Sequence, residues 1–353
     1  GVAESYSGGD LQEIYDDTME DIRAVYPPEA YYHHRYENIL SNRSDAFYQQ
    51  LPLYSIKPLY TGGIWLLHAL GIPMAKATWV LSILGFLGIG LVCFLFIPGK
   101  MDAAAWWAVA GVFSAVNPWP VTVVAALSTP DTLCIAFSLA ACCLWIYRRS
   151  FPGFALCFIL AQLARPDTLL LSVALTLFFT FAADDGYRLT RRQGLGFAAA
   201  AVLLYLIVNA LAGNYGWKSL FFYTFIHRTR YPADTEAVFG LGRYLDIVRH
   251  GFGHIFHNGR LQWLLIASLA VSFTHWRTRP GSAMFVLLLW VVWNVFLVRF
   301  SIFPAWWEDR YYYPYYFIIL YAIAEIALPC LPALENSIKS FAETEKLRYT
   351  GEP

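Results

Sequence analysis

Charged side chains are scarce in this chain: Asp, Glu, Lys and Arg make up 14% of its 353 residues, while hydrophobic residues make up 58%. Soluble globular domains carry about a quarter of their residues as charges, so the composition excludes an ordinary soluble protein. Positive and negative charges balance to zero, which points to no nucleic-acid partner. Aromatic residues reach 18% and cluster near the ends of apolar segments, as in interfacial belts. The composition predicts an integral, multi-pass membrane protein.

Cysteines with metal-ligand spacing are also missing. The six cysteines all lie in apolar segments, and none belongs to a CxxC or Cys/His arrangement. Isolated cysteines of this kind are typical of small core residues. We therefore expect neither a disulfide framework nor a structural metal. The sequence shows no signal peptide and begins with Gly rather than Met, so we expect a further segment to precede it.

Polar and apolar residues are segregated along the chain. Residues 1–57 carry ten acidic against four basic side chains and predict an extracytoplasmic region with surface helices. Residues 58–333 contain ten apolar runs, several shorter than the ~20 residues of a simple crossing, and a long loop at 214–258. They predict an all-α polytopic bundle of about 9–11 transmembrane or partly crossing helices. Residues 334–353 form a predicted cytoplasmic tail.

Basic residues in the short loops predict which ends of the helices share a side of the membrane. Lys and Arg concentrate in cytoplasmic loops. Four basic sites are separated by even numbers of predicted crossings and agree on one side: Arg148 and Arg149; Arg188, Arg191 and Arg192; Arg277 and Arg279; Lys339, Lys346 and Arg348. Alternation then places Asp131, Asp167 and the loops 214–258 and 300–310 on the extracytoplasmic side. The acidic region 1–57 fits the same side.

A Pro-Asp-Thr-Leu sequence opens two apolar runs, at 130–133 and at 166–169. Asp in the first turn complements the positive end of the helix dipole. Inside a membrane it is costly unless it lies near water or has a partner. Asp131 has no basic neighbour in the sequence, and we interpret it as a helix-start residue. Asp167 lies two residues after Arg165, so the second copy is the candidate for a site that binds a charged ligand.

Acidic residues in the first region are candidates for chemistry. Asp10, Asp16 and Asp17 have the carboxylates of a general base, or of ligands that hold a divalent metal together with phosphate oxygens. The alternative is a solvated acidic helix on the membrane surface. Lys57 lies at the start of an apolar helix, where it can hold a phosphate as a point charge or simply extend to the interface.

The long loop is more basic than expected for its predicted side of the membrane. Lys and Arg concentrate in cytoplasmic loops, yet residues 214–260 carry six of them on the predicted extracytoplasmic side. A phosphate-bearing ligand explains them economically, and Arg228 and Arg230 can grip it bidentately. The alternatives are pairing with the acidic first region and contact with anionic lipid headgroups.

Two further candidates lie in aromatic or histidine-rich surroundings. Arg310 lies among Trp and Tyr residues before the last apolar run; the aromatic residues are typical of an interfacial belt, yet Arg310 can also bind a phosphate or a sugar ring. His250, His254 and His257 follow helical spacing, but intervening glycines weaken such a helix, and we do not favour a metal site there.

Taken in order along the chain, these motifs resemble the GT-C class of membrane glycosyltransferases, which includes protein O-mannosyltransferases and aminoarabinose transferases. The resemblance covers nearly the whole chain. It rests on the acidic first region, Pro58-Leu59-Tyr60, Pro130-Asp131, Arg165-Pro166-Asp167 and Asp309-Arg310-Tyr311. The first transmembrane helix that precedes the acidic region in the family is absent from this sequence.

The resemblance implies an inverting transfer of a sugar from a polyprenyl-phosphate donor, in a bacterial inner membrane, with the active site facing the periplasm or exterior. The implied base is Asp10, or else Asp16 or Asp17. The implied donor-binding residues are Lys57, Arg165, Asp167, Arg228, Arg230 and Arg310. Expected partners are the lipid-linked donor, membrane lipids and other membrane subunits. A Mg or Mn ion is the cofactor that the acids would suit.

Two other functions remain open. A binding or structural subunit of a larger membrane assembly would keep the same fold without catalysis. A transporter would be expected to have inverted repeats with broken midplane helices. The Pro-Asp-Thr-Leu repeat covers one helix each and both copies start on one side, which supports a transporter poorly.

Overall fold

The computed structural model describes residues 2–5, 10–25, 43–96, 129–229, 231–255, 257–278, 283–307 and 309–327. These residues form helices and turns with no strand among them, so the all-α prediction is confirmed for this part of the chain. The helices are α1 Val2–Ser5, α2 Leu11–Val25, α3 Ser44–Ser55, α4 Pro58–Ala69, α5 Met74–Phe96, α6 Asp131–Arg148, α7 Phe151–Ala164, α8 Leu169–Phe181, α9 Arg191–Leu211, α10 Gly216–Phe225, α11 Leu241–Ile255, α12 Gly259–Thr278, α13 Ala283–Ile302 and α14 Tyr313–Ala327. The predicted run 103–127, the tail 334–353 and Arg230 lie outside the described residues.

Four of the described helices, α5, α6, α9 and α13, are long and apolar enough to cross a membrane. Shorter apolar helices lie at Phe151–Ala164, Pro166–Phe181 and Leu261–Phe273. The prediction of a membrane protein is supported at this level, whereas the number of crossings stays a prediction. Helices α5 and α9 also leave many large apolar side chains exposed, and such continuous apolar faces suit lipid better than water.

Helix α6 is the most enclosed of the four, because it packs against α5, α7 and α14. Its contact with α5 depends on a glycine: a Cβ atom on Gly85 would lie 2.5 Å from the backbone nitrogen of Leu133. Beside it, the Thr132 hydroxyl donates to the Ser82 carbonyl at 2.8 Å. On the other side of the bundle, α8 packs against α9 and α13, and α13 packs against α14.

Contacts at the helix termini sort the bundle into two ends. At one end, Arg165 pairs with Asp131, which joins the end of α7 to the start of α6. At the other end, the Trp145 ring nitrogen donates to the carbonyl of Tyr187 at 2.8 Å, which joins the end of α6 to the turn before α9. The starts of α6 and α8 therefore meet at a single end of the bundle.

The first region docks on the long loop at the end that carries Arg165. The Tyr215 hydroxyl donates a hydrogen bond to the backbone carbonyl of Gln49 in α3 at 2.9 Å. The Gln49 side chain donates to Asp234 at 2.8 Å, and the Tyr231 hydroxyl donates to Asp45 at 3.1 Å. The segment 214–258, predicted as a loop, contains helices α10 and α11.

Candidate functional site

Arg165 is the centre of a buried charge cluster, and the local sequence explains its position. The residue before a proline is biased towards extended backbone, and Arg165 before Pro166 has φ −149° and ψ 109°. This ends α7, and a short 3₁₀ turn over Pro166–Thr168 then leads into α8. Arg165 is 5% exposed, so its guanidinium lies inside the protein between the starts of two helices.

The Arg165 guanidinium binds both aspartates of the repeated motif. One terminal nitrogen, Nη1, donates to the carboxylate of Asp131. Nε and Nη2 donate to the two oxygens of Asp167 at 3.1 and 2.6 Å, a bidentate pairing. Arg299, at the end of α13, donates to the same Asp167 at 3.0 Å. Because Arg165, Asp131 and Arg299 are buried, removing one partner would leave a charge uncompensated inside the protein.

Asp131 begins α6, as the helix-start interpretation expects, but it also has a basic partner that its sequence neighbours do not reveal. Its partner is Arg165, which lies 34 residues away in the sequence and is brought close by the α6–α7 hairpin. Sequence reasoning also missed Arg299. A signal was present, because an arginine inside an apolar run is a functional or structural candidate by default.

Lys57 adds a positive charge that the cluster does not compensate. It precedes α4 and is half-buried. Its ammonium makes no hydrogen bond or ion pair with any described residue. The nitrogen Nζ lies over the ring of Tyr54, 5.4 Å from the ring centroid. Removal from water lowers the pKa of Lys57 to about 8; Arg165 lowers it further and Asp131 opposes the shift.

Arg310 is held next to this position through its backbone. Its carbonyl accepts a hydrogen bond from Nη1 of Arg165 at 3.3 Å, and its guanidinium lies 5.4 Å from the Tyr311 ring centroid. Tyr54 lies within electrostatic range of both Arg310 and Arg228. Within the cluster, Arg165 and Arg299 are paired with Asp131 and Asp167. Lys57 lies beside them without an ion pair to any described residue, and its charge favours an anion.

The acidic candidates lie elsewhere, exposed on α2 or at its start. The Oδ1 oxygen of Asp10 accepts a hydrogen bond from the backbone nitrogen of Glu13 at 2.9 Å, so Asp10 caps α2. The Gln12 amide donates to Asp16 at 3.1 Å. Asp17 has no hydrogen bond or ion pair with another described residue. No such contact in the described part of the chain joins these three acids to the Arg165 cluster.

The cavities with walls among the described residues include two at the surface. One of about 640 Å³ is lined by Asp246, Arg249, His250, Gly253, His254 and His257. The other, of about 530 Å³, is lined by Tyr15, Asp16, Met19, Glu20 and Arg23. Neither contains Lys57, Arg165 or Arg310, so neither joins the acids to the basic cluster. Within the described residues, no three His, Cys, Asp or Glu side chains converge as a metal site, and the Mg or Mn ion stays a prediction.

Comparison of the chain with protein-family models, with curated proteins and with solved structures found no match. The described fold defines a class: an all-helical protein with four helices able to span a membrane. Its distinguishing feature is the buried charge cluster at one end of the bundle.

Proposed function

We propose that the protein is a GT-C-type glycosyltransferase of a bacterial inner membrane, which transfers a sugar from a polyprenyl-phosphate donor on the extracytoplasmic side. In this proposal about 9–11 helices cross the membrane fully or partly, and the basic end of the bundle faces the periplasm. The observation that supports it is the ammonium of Lys57, which makes no ion pair with any described residue and lies beside Arg310 and Arg165. A phosphate at the membrane interface supplies the missing negative charge.

The basic residues divide into two groups with different roles. Arg165 and Arg299 are already paired with Asp131 and Asp167, so they serve as a scaffold that fixes the helix starts. Arg165 also holds the backbone of Arg310. Lys57, with Arg310 and Arg228 nearby, is the proposed contact of the donor phosphate. This assigns Arg165 and Asp167 a positioning role rather than the direct contact with donor that the family resemblance implies.

The proposed chemistry needs a base and a stabilised leaving group. A carboxylate of α2 takes the proton from the acceptor hydroxyl while that oxygen attacks the anomeric carbon from the face opposite the phosphate. The bond between the anomeric carbon and the phosphate oxygen breaks, and the polyprenyl phosphate departs with the electron pair. Lys57 and Arg310 stabilise its developing charge in a site low in water. Asp10 is the first candidate base, followed by Asp16 and Asp17.

The test is release of polyprenyl phosphate from a panel of polyprenyl-phosphate sugars in the presence of a panel of hydroxyl-bearing acceptors, measured by mass spectrometry on the purified protein in lipid. We expect release by the wild-type protein and its loss in Asp10→Asn. Asn caps a helix as well as Asp does, so the fold should persist in this variant. If Asp10→Asn keeps activity, the Asp16→Asn and Asp17→Asn variants test the other candidates. Full activity with all three acids neutralised would rule out a base from α2.

A second candidate function is a non-catalytic binding subunit of a larger membrane assembly. The observation that favours it is the exposed position of the acids, with Asp10 and Asp16 bonded within or next to α2 and no contact with the basic cluster. The two functions differ in one outcome. A binding subunit would retain polyprenyl phosphate at Lys57 yet release none from any donor, whereas the enzyme would do both.

A further inference from the structure

We infer that His250 and His254 form a binding site for a late first-row divalent metal ion, of the Zn²⁺ or Cu²⁺ type, in the groove of about 640 Å³ beside Trp306. The two residues lie one turn apart on α11, so their side chains share a face. Imidazole nitrogen is a preferred ligand of these ions. The site is independent of the proposed transfer reaction.

The separation of the two rings fits a shared metal ion. Their Nε2 atoms are 3.0 Å apart. With metal–nitrogen bonds of about 2.0–2.1 Å, two nitrogens on one ion lie roughly 2.8–3.4 Å apart for bond angles between about 90° (octahedral) and about 109° (tetrahedral). The pair can therefore chelate an ion with little movement of either ring.

Trp306 fixes the two rings in this arrangement. Its ring stacks on His254 with 5.5 Å between centroids and 9° between planes, and it meets His250 edge-on at 5.0 Å. Gly251 permits this approach, because a Cβ atom there would lie 2.9 Å from the Cβ of Pro304. Gly251 and Gly253 were expected to weaken this helix, but α11 is unbroken. Gly251 also leaves room for the segment that carries Trp306. Rings held in advance lose less freedom when they bind a metal.

The remaining coordination positions face the groove. Asp246 lines it one turn before His250 and favours a cation, whereas Arg249 in the same wall opposes one. His257 lines the same groove but does not complete the set, because no three His, Cys, Asp or Glu side chains of the described residues converge on one point. Of the three histidines at helical spacing, two form the chelate, and water or an exogenous ligand fills the open positions.

The competing explanation is a simple N–H···N hydrogen bond between the two imidazoles without a metal. Metal-free protein, purified at full length in detergent, should be titrated with Cu²⁺ and read by electron paramagnetic resonance. We expect one Cu²⁺ per chain with hyperfine splitting from two imidazole nitrogens, and competition by Zn²⁺. A wild-type spectrum without two nitrogen ligands would overturn the proposal.

Variants locate the site. His250→Ala and His254→Ala should each weaken Cu²⁺ binding by at least about tenfold. His257→Ala is the matched control on the same stretch of chain and should leave the affinity unchanged. Thermal unfolding of each variant without metal verifies the fold. Equal affinity in the wild type and in the double variant His250→Ala/His254→Ala would also overturn the proposal.

Discussion

The guanidinium of Arg165 donates a hydrogen bond from one nitrogen to Asp131 and from the other two nitrogens to Asp167. A single arginine therefore pairs with both copies of the Pro-Asp-Thr-Leu sequence. The arginine itself belongs to the segment around the second copy. The repeat therefore builds one structure: two helix starts held together by a cation between them. Lys57 and Arg310 lie next to that structure, and Lys57 makes no ion pair with any described residue.

The Arg165 pairing predicts a large stability effect. Arg165→Met leaves the buried carboxylate of Asp131 and the half-buried carboxylate of Asp167 without their main partner and should lower the free energy of unfolding by about 3–5 kcal/mol. Reversible unfolding in mixed micelles measures the difference. The matched control is Arg188→Met, because Arg188 pairs with Asp185 at the surface, where such pairs contribute about 0–1 kcal/mol. If both variants lose the same free energy of unfolding, the buried cluster stabilises the fold no more than a surface ion pair does.

The pKa of Lys57 predicts a pH dependence of donor binding. This pKa is lowered to about 8 in the free protein, and a bound phosphate would raise it. Affinity for polyprenyl phosphate should then be constant from pH 7 to about 8 and fall by up to about tenfold per pH unit above that, because the free ammonium loses its proton. Titration of binding between pH 7 and pH 10 measures this.

Lys57→Arg is the control for the pH profile. An arginine stays protonated throughout this range, so the affinity of the variant should not fall above pH 8. Identical profiles for wild type and variant would assign the pH dependence to another group.

The contact between α5 and α6 predicts opposite effects for two glycines of one helix. Gly85→Ala puts a methyl group against the backbone of α6 and should lower the free energy of unfolding by at least about 1–3 kcal/mol. Gly90→Ala meets open space and should raise it by roughly 0.5–1 kcal/mol through helix propensity. Thermal unfolding of both variants tests the packing, and destabilisation by both would contradict it.

Local sequence signals predicted the helices but not the contacts between them. Pro166 ends α7 as its backbone restriction requires, and apolar runs gave the spanning helices. The partner of Asp131 could not be predicted, because the α6–α7 hairpin brings Arg165 to it from a distant part of the sequence. Arg299 was missed although its position inside an apolar run marks it as a candidate; only its pairing with Asp167 required the fold. Helices α10 and α11 lie in a segment predicted as a loop, although α11 has the separate polar and apolar faces of an amphipathic helix. Gly251 and Gly253 argued against a helix there.

The most direct measurement of the central claim is the affinity of the purified protein for polyprenyl phosphate and for the matching polyprenol. Wild-type protein should bind the phosphate more tightly than the alcohol. Lys57→Gln should weaken phosphate binding by roughly 10–100-fold, as expected for one charged hydrogen bond, and leave alcohol binding unchanged. Lys76→Gln, at an exposed lysine on α5, should change neither. Phosphate binding by Lys57→Gln as tight as that of the wild type would contradict the account.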